Sequence, residues 1–432
     1  MHLARRAYLL LVLAAVLAIV ALWSPEPELA GLWRWPTMLL LAGIALESAS
    51  TRRRRWWIDI ESAARGFLGR PHRARLVLHN ASPRPLTIEY LVEMPPGLEG
   101  PGGPRRLSAA AASTASDPLP LVPVRLGLQH WPPVRARALG RFGLAWWARD
   151  QAITGSLAVA PDVSTPPDNR SRGLRAGARP PRGAGAGSEL YQLRAYVPGD
   201  PISRVDWKAT ARLGRLVSRE LSEDQHLDVL IAIDAGRSSR IRGGRLDRLG
   251  LYANIAARFA ESATRNDDRV ALLVYGDRPL AVTALERGRP AVLNIRRALE
   301  RLAPQYAESD PLDAAMRARA LLKHRSLVVL LTDVEDPTGA DALAQAVRLL
   351  SPPHLALVAG VESVALAAAA ERDSRDWRDP WVALAAREQR ARAADRCRLL
   401  RRLGAPALTA PAEDLEARVL GEYERLRRAR RI

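Results

Sequence analysis

The sequence predicts a multi-domain protein with an N-terminal two-helix membrane hairpin, a small antiparallel β-sandwich and an α/β doubly wound domain. Three observations carry this prediction. Two apolar runs lie near the N-terminus, short segments of alternating polarity follow them, and nearly continuous apolar runs alternate with amphipathic segments in the second half. A length of 432 residues suits two or three domains.

Residues 1–55 predict the membrane hairpin. The run Ala7–Trp23 is unbroken and apolar. As a helix it would span about 26 Å, against a hydrocarbon core of about 30 Å. A second, shorter run at 33–49 carries Arg34 near its start, and a polar turn with two prolines separates the two runs. We therefore expect a pair of helices.

Arginines predict how this hairpin is oriented. Arg5 and Arg6 precede the first run, and four arginines at 52–55 follow the second. By the positive-inside rule both groups stay cytoplasmic, which predicts a multi-pass protein of the inner (cytoplasmic) membrane with its soluble domains facing the cytoplasm. The alternative is a cleaved signal peptide followed by an exported domain. No small-residue cleavage site directly follows Trp23, which favours the anchor.

Residues 56–161 predict an immunoglobulin-like β-sandwich. Segments such as ARLVLHN and LTIEYLVEM alternate with period two between proline- and glycine-rich turns. Near its end, Phe142, Leu144, Trp146 and Trp147 are expected to pack the core or the seam to the next domain, and a ligand-binding aromatic cluster is the alternative.

Residues 162–187 predict a flexible linker, because they are rich in proline, glycine and arginine and lack apolar periodicity. The stretch GAGAGS at its end resembles a nucleotide-binding glycine loop only superficially. No strand precedes it and no lysine-serine pair follows it, as a phosphate loop would require.

Residues 227–432 predict the α/β domain. The apolar runs LDVLIAI, RVALLVY, SLVVLL and HLALVA are typical of parallel strands that are covered on both faces. Gly276 and Asp277 predict a hairpin within 275–282 that adds an antiparallel edge strand. Apolar residues at helical spacing predict helices around Tyr252 and at 291–302, 312–322, 340–350, 380–403 and 415–427.

Composition argues against several classes of function. The net charge of +19 is spread along the chain, and all basic residues except Lys208 and Lys323 are arginines, as coding bias would produce. This disfavours nucleic acid as the partner.

Cys397 is the only cysteine, which excludes an intrachain disulfide, and we expect it to be a packing residue. No catalytic residue is predicted: the seven histidines are scattered, and Ser238 is not in a nucleophile elbow.

Residues 188–226, with Gly187 just before them, carry the most specific pattern in the chain, which we call the signature segment. Its marks are Gly187, Glu189, Leu193, Arg194, Tyr196, Gly199, Asp200, Asp206, Trp207, Lys208, Ala211 and Arg212. With the strand LDVLIAIDAGRSS that follows, this segment resembles the bacterial domain-of-unknown-function family fifty-eight, whose members carry a von Willebrand factor A-like domain. The phrase GRFGLAWWARD is also similar to one in that family, so the resemblance covers most of the chain after Trp57.

The resemblance implies a degenerate site for a metal ion. Von Willebrand A-type domains bind Mg²⁺ or a related ion through an Asp-x-Ser-x-Ser loop, a threonine and a third-loop aspartate. Here Asp234 and Ser238 match the first loop, Ser309 stands for the threonine and Asp333 is the third-loop residue, but Gly236 replaces the first serine. Both aspartates follow strands, which would bring them into one crevice, and oxygen ligands suit Mg²⁺. Alternatively, these aspartates cap helices and loops without a metal.

The signature segment has two possible roles. Arg194 and Arg212 could pair with Asp200 or Asp206 and fix the loop, with Trp207 buried as an anchor, and Asp200 with Pro201 could start a helix. The alternative is a docking surface formed by Arg194, Tyr196, Gly199, Asp200, Asp206, Trp207, Lys208 and Arg212, since tryptophan and arginine are frequent at interface hot spots.

The resemblance also implies a function. Members of the family accompany MoxR-type AAA+ ATPases and are thought to help assemble or activate protein complexes, and this chain has no phosphate-loop motif of its own. We therefore expect a non-enzymatic, membrane-anchored adaptor whose partners are the ATPase and a client complex. Two alternatives stay open: a binder of nucleic acid or anionic lipid that uses the arginines, and an enzyme without a recognisable catalytic motif.

Overall fold

The computed structural model describes residues 2–23, 31–52, 55–162, 184–222, 226–303 and 305–429, with the backbone alone at 52, 184–191 and 221–222. The chain divides into two compact units, Met1–Pro161 and Asp162–Ile432.

Near its N-terminus the first unit has two helices that contact each other, α1 (Arg5–Trp23) and α2 (Arg34–Arg52). Within the described residues, α1 is the one helix long and apolar enough to cross a membrane, with a mean hydropathy of 2.3 over its best window. Helix α2 has the same length of 19 residues but does not meet that criterion. Its Glu47 is buried and accepts hydrogen bonds from the backbone N–H groups of Phe142 at 2.7 Å and Ala145 at 3.0 Å.

Among its described residues, the first unit also contains twelve strands. They are β1 (His2–Leu3), β2 (Trp56–Ser62), β3 (Arg65–Phe67), β4 (His72–Asn80), β5 (Leu86–Leu91), β6 (Leu98–Glu99), β7 (Arg105–Ala109), β8 (Ser113–Pro123), β9 (Gly127–His130), β10 (Val134–Leu139), β11 (Ala145–Gln151) and β12 (Ser156–Ala160). They form a five-stranded sheet β1-β11-β10-β5-β7, a four-stranded sheet β2-β4-β8-β6 and a three-stranded sheet β3-β12-β9. Alternate residues of strands such as β5 are buried, as expected for sheets with one covered face.

The aromatic cluster near the end of these strands differs from its prediction. Leu144 is buried and packs with Ala7 and Leu40 of the two helices. Phe142 is exposed, so the prediction that it packs a core is wrong, whereas Trp146 and Trp147 are half-buried, with Trp146 beside arginines.

Most of the predicted linker, 163–183, lies outside the described residues, but its end does not. Residues 184–187 already belong to strand β13 (Ala184–Ala195), which pairs antiparallel with β14 (Val217–Ser222). The prediction of a linker up to residue 187 is therefore wrong by four residues. Backbone pairing with β14 makes a strand of a sequence whose small residues carry no periodicity.

The second unit contains a six-stranded sheet. Besides β13 and β14, the strands of the second unit are β15 (Asp228–Asp234), β16 (Arg242–Gly243), β17 (Leu246–Asp247), β18 (Arg269–Tyr275), β19 (Pro279–Val282), β20 (Leu327–Leu331), β21 (Leu355–Val361) and β22 (Ala407–Ala410). Among the described residues, strands β16 and β17 pair only with each other. The helices of this unit are α3 (Trp207–Leu213), α4 (Arg248–Arg265), α5 (Gly288–Glu300), α6 (Pro311–Leu321), α7 (Ala340–Leu350), α8 (Val364–Ala370), α9 (Asp379–Arg402) and α10 (Ala412–Arg428). The sheet order is β19-β18-β15-β20-β21-β22, parallel except for the edge strand β19, which completes the expected hairpin with β18.

Helices cover both faces of this sheet. Leu230 and Ala232 of β15 pack with α6, α7 and the α9 residue Cys397, which is buried in the core as expected. The intervening residues Val229 and Ile231 are equally buried, and α4, α5 and α10 contact the same group of strands. Burial of both faces explains why the four main strands are nearly continuous apolar runs.

The strand order places the site. After β15 the chain adds β18 and β19 on one side and then returns to place β20 on the other side of β15. The carboxyl ends of β15 and β20 therefore flank a topological switch point, where open α/β sheets bind ligands. Asp234 ends β15, and Thr332 and Asp333 follow β20.

Candidate functional site

The strand-end crevice, which we define by Asp234, Ser309, Thr332 and Asp333, is built around the Asp234 carboxylate. Asp234 is only 3% exposed. One of its oxygens accepts hydrogen bonds from the hydroxyls of Thr332 at 2.7 Å and Ser309 at 3.0 Å, and the other accepts from the N–H of Gly236 at 2.9 Å. The structure thus brings Asp234 and Ser309 together. The Ser309 hydroxyl donates a hydrogen bond to the Asp234 carboxylate, whereas the sequence analysis expected both residues to bind a metal ion.

Gly236 leaves no room for the serine that the metal loop would need. A Cβ at this position would lie 2.9 Å from the backbone nitrogen of Ser309 and 3.2 Å from a carboxylate oxygen of Asp234. The loop before α6 therefore packs directly against the loop that follows β15. Ser238 lies in the short 3₁₀ helix Arg237–Arg240 and is half-buried.

Asp333 is held by an arginine that the sequence analysis missed. The guanidinium of Arg248, the first residue of α4, donates from Nη1 to Asp333 Oδ2. Its Nη2 lies 3.3 Å from Glu335 Oε2. All three side chains are nearly or largely buried, with 3%, 7% and 11% exposed for Arg248, Asp333 and Glu335. A cation at a helix N-terminus opposes the helix dipole, so the two carboxylates are what hold it there.

Burial dominates the proton equilibria of the crevice. Burial, and to a smaller extent the charge of Asp333, raises the pKa of the Asp234 carboxyl above its ordinary value, although its hydrogen bonds partly offset this. Burial also lowers the pKa of the Arg248 guanidinium, but the nearby carboxylates of Asp333 and Glu335 outweigh it and leave that pKa above its ordinary value. Arg248 is therefore a permanent cation.

These residues do not fit Mg²⁺. The Asp234 carboxylate is already satisfied by three donors, and Asp333 already has a counter-ion. Gly236 has no space for a serine ligand. In the part of the chain that the structure describes, no group of three or more histidine, cysteine, aspartate or glutamate side chains could hold a metal ion.

The rim of the crevice carries exposed groups. Tyr306 is 80% exposed, and the guanidinium of Arg240 lies 3.6 Å from its ring centroid. Beside them, Arg237 and Glu308 form an ion pair at 2.6 Å.

The signature segment is framed by ion pairs. Arg194 donates two hydrogen bonds of 2.8 Å to the two oxygens of Asp200, which also accepts from the N–H of Val197 at 3.1 Å. Gly199 has φ +109°, a backbone conformation that suits glycine, and this allows the turn to close. Arg194 thus pairs with Asp200 as the structural alternative expects.

Other parts of that alternative are wrong. Asp200 does not cap a helix: the 3₁₀ helix Ile202–Arg204 has no side-chain cap. Instead Asp206 caps α3, accepting hydrogen bonds from the N–H groups of Lys208 and Ala209, because its carboxylate can reach those free helix-end donors. Arg219, and not Arg212, lies beside Asp206, at 3.8 Å.

The apolar side chains of the signature segment face solvent. Trp207 is 63% exposed and Ile202 71% exposed, so the expectation of a buried tryptophan anchor is wrong. The segment from 197 to 216 also exposes Val197, Leu213 and Leu216. Of its other predicted residues, Tyr196 is half-buried and Lys208 and Arg212 are exposed. Exposed large apolar groups on a frame fixed by ion pairs are typical of an interaction surface.

Sequence reasoning missed Arg248 and Glu335 as functional parts of the crevice, and it placed Thr332 beside Asp333 in the third loop without giving it a role. Thr332 precedes a predicted strand-end aspartate, which was a usable signal. Arg248 lies 85 positions from Asp333 in a chain rich in arginine, so nothing in its local sequence distinguishes it.

Comparison with known proteins bears on this region. Residues 192–364 match the family described as "Protein of unknown function DUF58". Uncharacterized proteins of Mycobacterium bovis and Mycobacterium tuberculosis are each 26% identical over 155 residues, which is 35% of this chain and 49% of theirs. The chain therefore spans about half the length of these curated relatives.

Two solved structures show weak similarity. Proximal thread matrix protein 1 from the mussel byssus is similar over 46% of this chain and 45% of its own, with 14% identity and a TM-score of 0.30. The CARDB domain of a Pyrococcus furiosus protein in complex with di-metal ions is similar over 25% of this chain and 96% of its own, with 8% identity and a TM-score of 0.19. At these TM-scores neither structure bears on the site.

The matched residues begin within β13 and end at the start of α8, and they include the signature segment from Gln192 onward and the whole strand-end crevice. Residues 192–364 of this chain are a DUF58 domain.

Proposed function

We propose that this protein is a membrane-anchored adaptor that binds other proteins, working with a MoxR-type AAA+ ATPase in the assembly or activation of a protein complex. It acts through binding and not through catalysis. We infer the ATPase partner from the family resemblance of the signature segment. We infer the docking role from the large apolar side chains that this segment exposes.

The observation that carries the proposal is the exposure of Trp207 on a rigid frame. The side chain is 63% exposed, while the residue before it caps α3 and the Arg194–Asp200 pair fixes the preceding turn. A preorganised tryptophan loses little conformational entropy on binding, which favours it as an anchor. Exposed Lys208, Arg212 and Arg215 surround it in sequence, which suits a partner with acidic groups at the rim of its binding site.

The membrane anchor completes the proposal. Helix α1 is apolar enough to cross a membrane, and α2 contacts it. We propose that the two form a hairpin in the inner membrane and that the arginines around them keep the DUF58 domain in the cytoplasm. An ATP-dependent partner would find its nucleotide on that side.

Affinity capture from the native membrane tests this function. The full-length tagged protein is compared with Trp207→Ala, with Tyr306→Ala at the crevice rim, and with Trp377→Ala, which removes an equally exposed tryptophan of the same unit (71% exposed). We expect an AAA+ ATPase to be captured by the wild type and by Trp377→Ala. Binding of the purified ATPase to Trp207→Ala should be weaker by at least about 2 kcal/mol, or about thirtyfold.

Two outcomes would contradict the proposal. Capture that is unchanged in Trp207→Ala but lost in Tyr306→Ala would show that the partner binds at the crevice rim and not at Trp207. Recovery of only nucleic acid or anionic lipid, with binding that falls steeply as salt rises, would favour the alternative in which the arginines bind an anionic surface.

A further inference from the structure

We infer that Arg248 is the chain's own permanent substitute for a divalent cation in the strand-end crevice, so that the loops around this crevice are held together without a metal. The inference concerns the crevice alone and does not depend on which partner the signature segment binds.

Charge balance in the crevice depends on Arg248. Asp333 and Glu335 are two largely buried carboxylates, and an isolated buried charge is costly unless a counter-ion neutralises it. The Arg248 guanidinium reaches both of them, and its Nη2 lies 3.5 Å from the carbonyl oxygen of Val361. A divalent ion placed between the same carboxylates would meet a resident positive charge.

The Arg248 guanidinium connects several elements around the crevice. Arg248 begins α4, its partners Asp333 and Glu335 follow β20, and Val361 ends β21. Glu335 extends the junction further, because its carboxylate accepts from the N–H of Ser363 at 3.1 Å, at the start of α8. A fork of several donors in fixed directions suits a junction of this kind better than a single point charge.

Helix α9 is hydrogen-bonded to the same loop after β20. Gln389 and Arg396 donate to the backbone carbonyl of Glu335 at 2.9 Å and 2.7 Å, and Arg396 also donates to the carbonyl of Val334 at 2.8 Å. The loop after β20, which would supply a ligand in a metal site, is thus held by Arg248 through its side chains and by α9 through its backbone carbonyls. It is positioned whether or not a metal is present.

Manganese titration of the full-length protein in detergent tests the inference, with free Mn²⁺ followed by electron paramagnetic resonance after treatment with EDTA. We expect the wild type to show no saturable binding of one ion per chain with a dissociation constant below roughly 1 mM. Its thermal midpoint should be the same in EDTA and in Mg²⁺. Arg248→Ala, which frees the two carboxylates, should bind Mn²⁺ at least about tenfold more tightly than the wild type.

Matched variants make the outcome decisive. Arg248→Lys keeps a positive charge and should not gain Mn²⁺ binding, and the double variant Arg248→Ala/Asp333→Asn should lose the gain. One tight Mn²⁺ site in the wild type that disappears in Asp234→Asn would overturn the inference. So would a folded Arg248→Ala protein, judged by circular dichroism, that binds no more Mn²⁺ than the wild type. If Arg248→Ala does not fold, the wild-type titration and the EDTA comparison decide alone.

Discussion

Two parallel hydrogen bonds of 2.8 Å join the Arg194 guanidinium to the two carboxylate oxygens of Asp200, six residues later. The pair spans the turn that leads from β13 into the exposed part of the signature segment. Paired donors match a carboxylate in orientation as well as in charge. The pair therefore sets the position from which Ile202 and Trp207 project into solvent.

Removing this pair should loosen the segment. We expect Arg194→Gln to increase hydrogen exchange at the amides of 196–206 and to weaken partner capture, because the turn loses its fixed geometry. Arg194→Lys should restore only part of both, since an ammonium cannot form the fork. Arg215→Gln, which removes an exposed arginine of the same segment, is the control. Equal effects of the Arg194 and Arg215 variants would show that charge, and not geometry, matters.

The pH dependence of the segment follows from its carboxylates. The Arg194 side chain, followed by the N–H of Val197, lowers the pKa of Asp200 below its ordinary 3.8, and the N–H of Ala209 is the largest cause that lowers the pKa of Asp206. A lowered folded-state pKa contributes stability above the unfolded-state value and loses it as pH falls through the folded-state value. We expect Trp207 fluorescence to be constant at neutral pH and to change only below about pH 4.

Arg194→Gln should move that fluorescence change to higher pH, because the Asp200 carboxylate then titrates nearer its ordinary value. A transition centred near neutral pH in the wild type would contradict this assignment.

The crevice should depend on the Thr332 hydroxyl. Thr332→Val removes the 2.7 Å hydrogen bond to buried Asp234 at nearly constant volume. We expect the free energy of opening of β15 and β20 amides, measured by hydrogen-exchange mass spectrometry, to fall by about 1–3 kcal/mol. Thr338→Val, at an exposed threonine in the loop after β20, should leave it unchanged. Equal protection in both variants would mean that Asp234 finds another donor.

The anchor role of α1 can be tested by a charge at its centre. Val16→Arg places a cation near the middle of the helix, which should cost about 2.5–3.5 kcal/mol of insertion free energy. Leu22→Arg, at the helix end, should be tolerated because the side chain can reach the interface. Alkaline extraction of membranes measures retention. Intact-mass analysis also tests the signal-peptide alternative, which predicts a shortened N-terminus.

Much of the fold could be predicted because it depends on local patterns. Helix α7 has the bounds 340–350 that its apolar spacing predicts, and α9 differs from its predicted range by one residue at each end. The strands β15, β18, β20 and β21 are visible as apolar runs because both of their faces are buried. By contrast, β22 has only four residues and α8 is mostly alanine, so neither carries a recognisable period.

The candidate site was predicted in part. Strand ends and the topology of the sheet bring Asp234 and Asp333 to one crevice, and the sequence alone indicates both aspartates. Only the tertiary structure decided what each of them contacts: three neutral donors at Asp234 and a guanidinium at Asp333. The choice between a bound ion and a guanidinium depends on where Arg248 lies in space, and its local sequence resembles that of many other arginines in this chain.

The tertiary structure also determines the exposure of Trp207. Composition and spacing marked the signature segment as unusual but fitted a buried anchor and a docking residue equally well. Burial depends on which surfaces meet after the chain has folded, and in this segment the ion pairs and the Asp206 cap already hold the backbone without the tryptophan. The sequence therefore determined the elements and the residues of interest, whereas long-range packing determined which of them are buried, paired or free to bind.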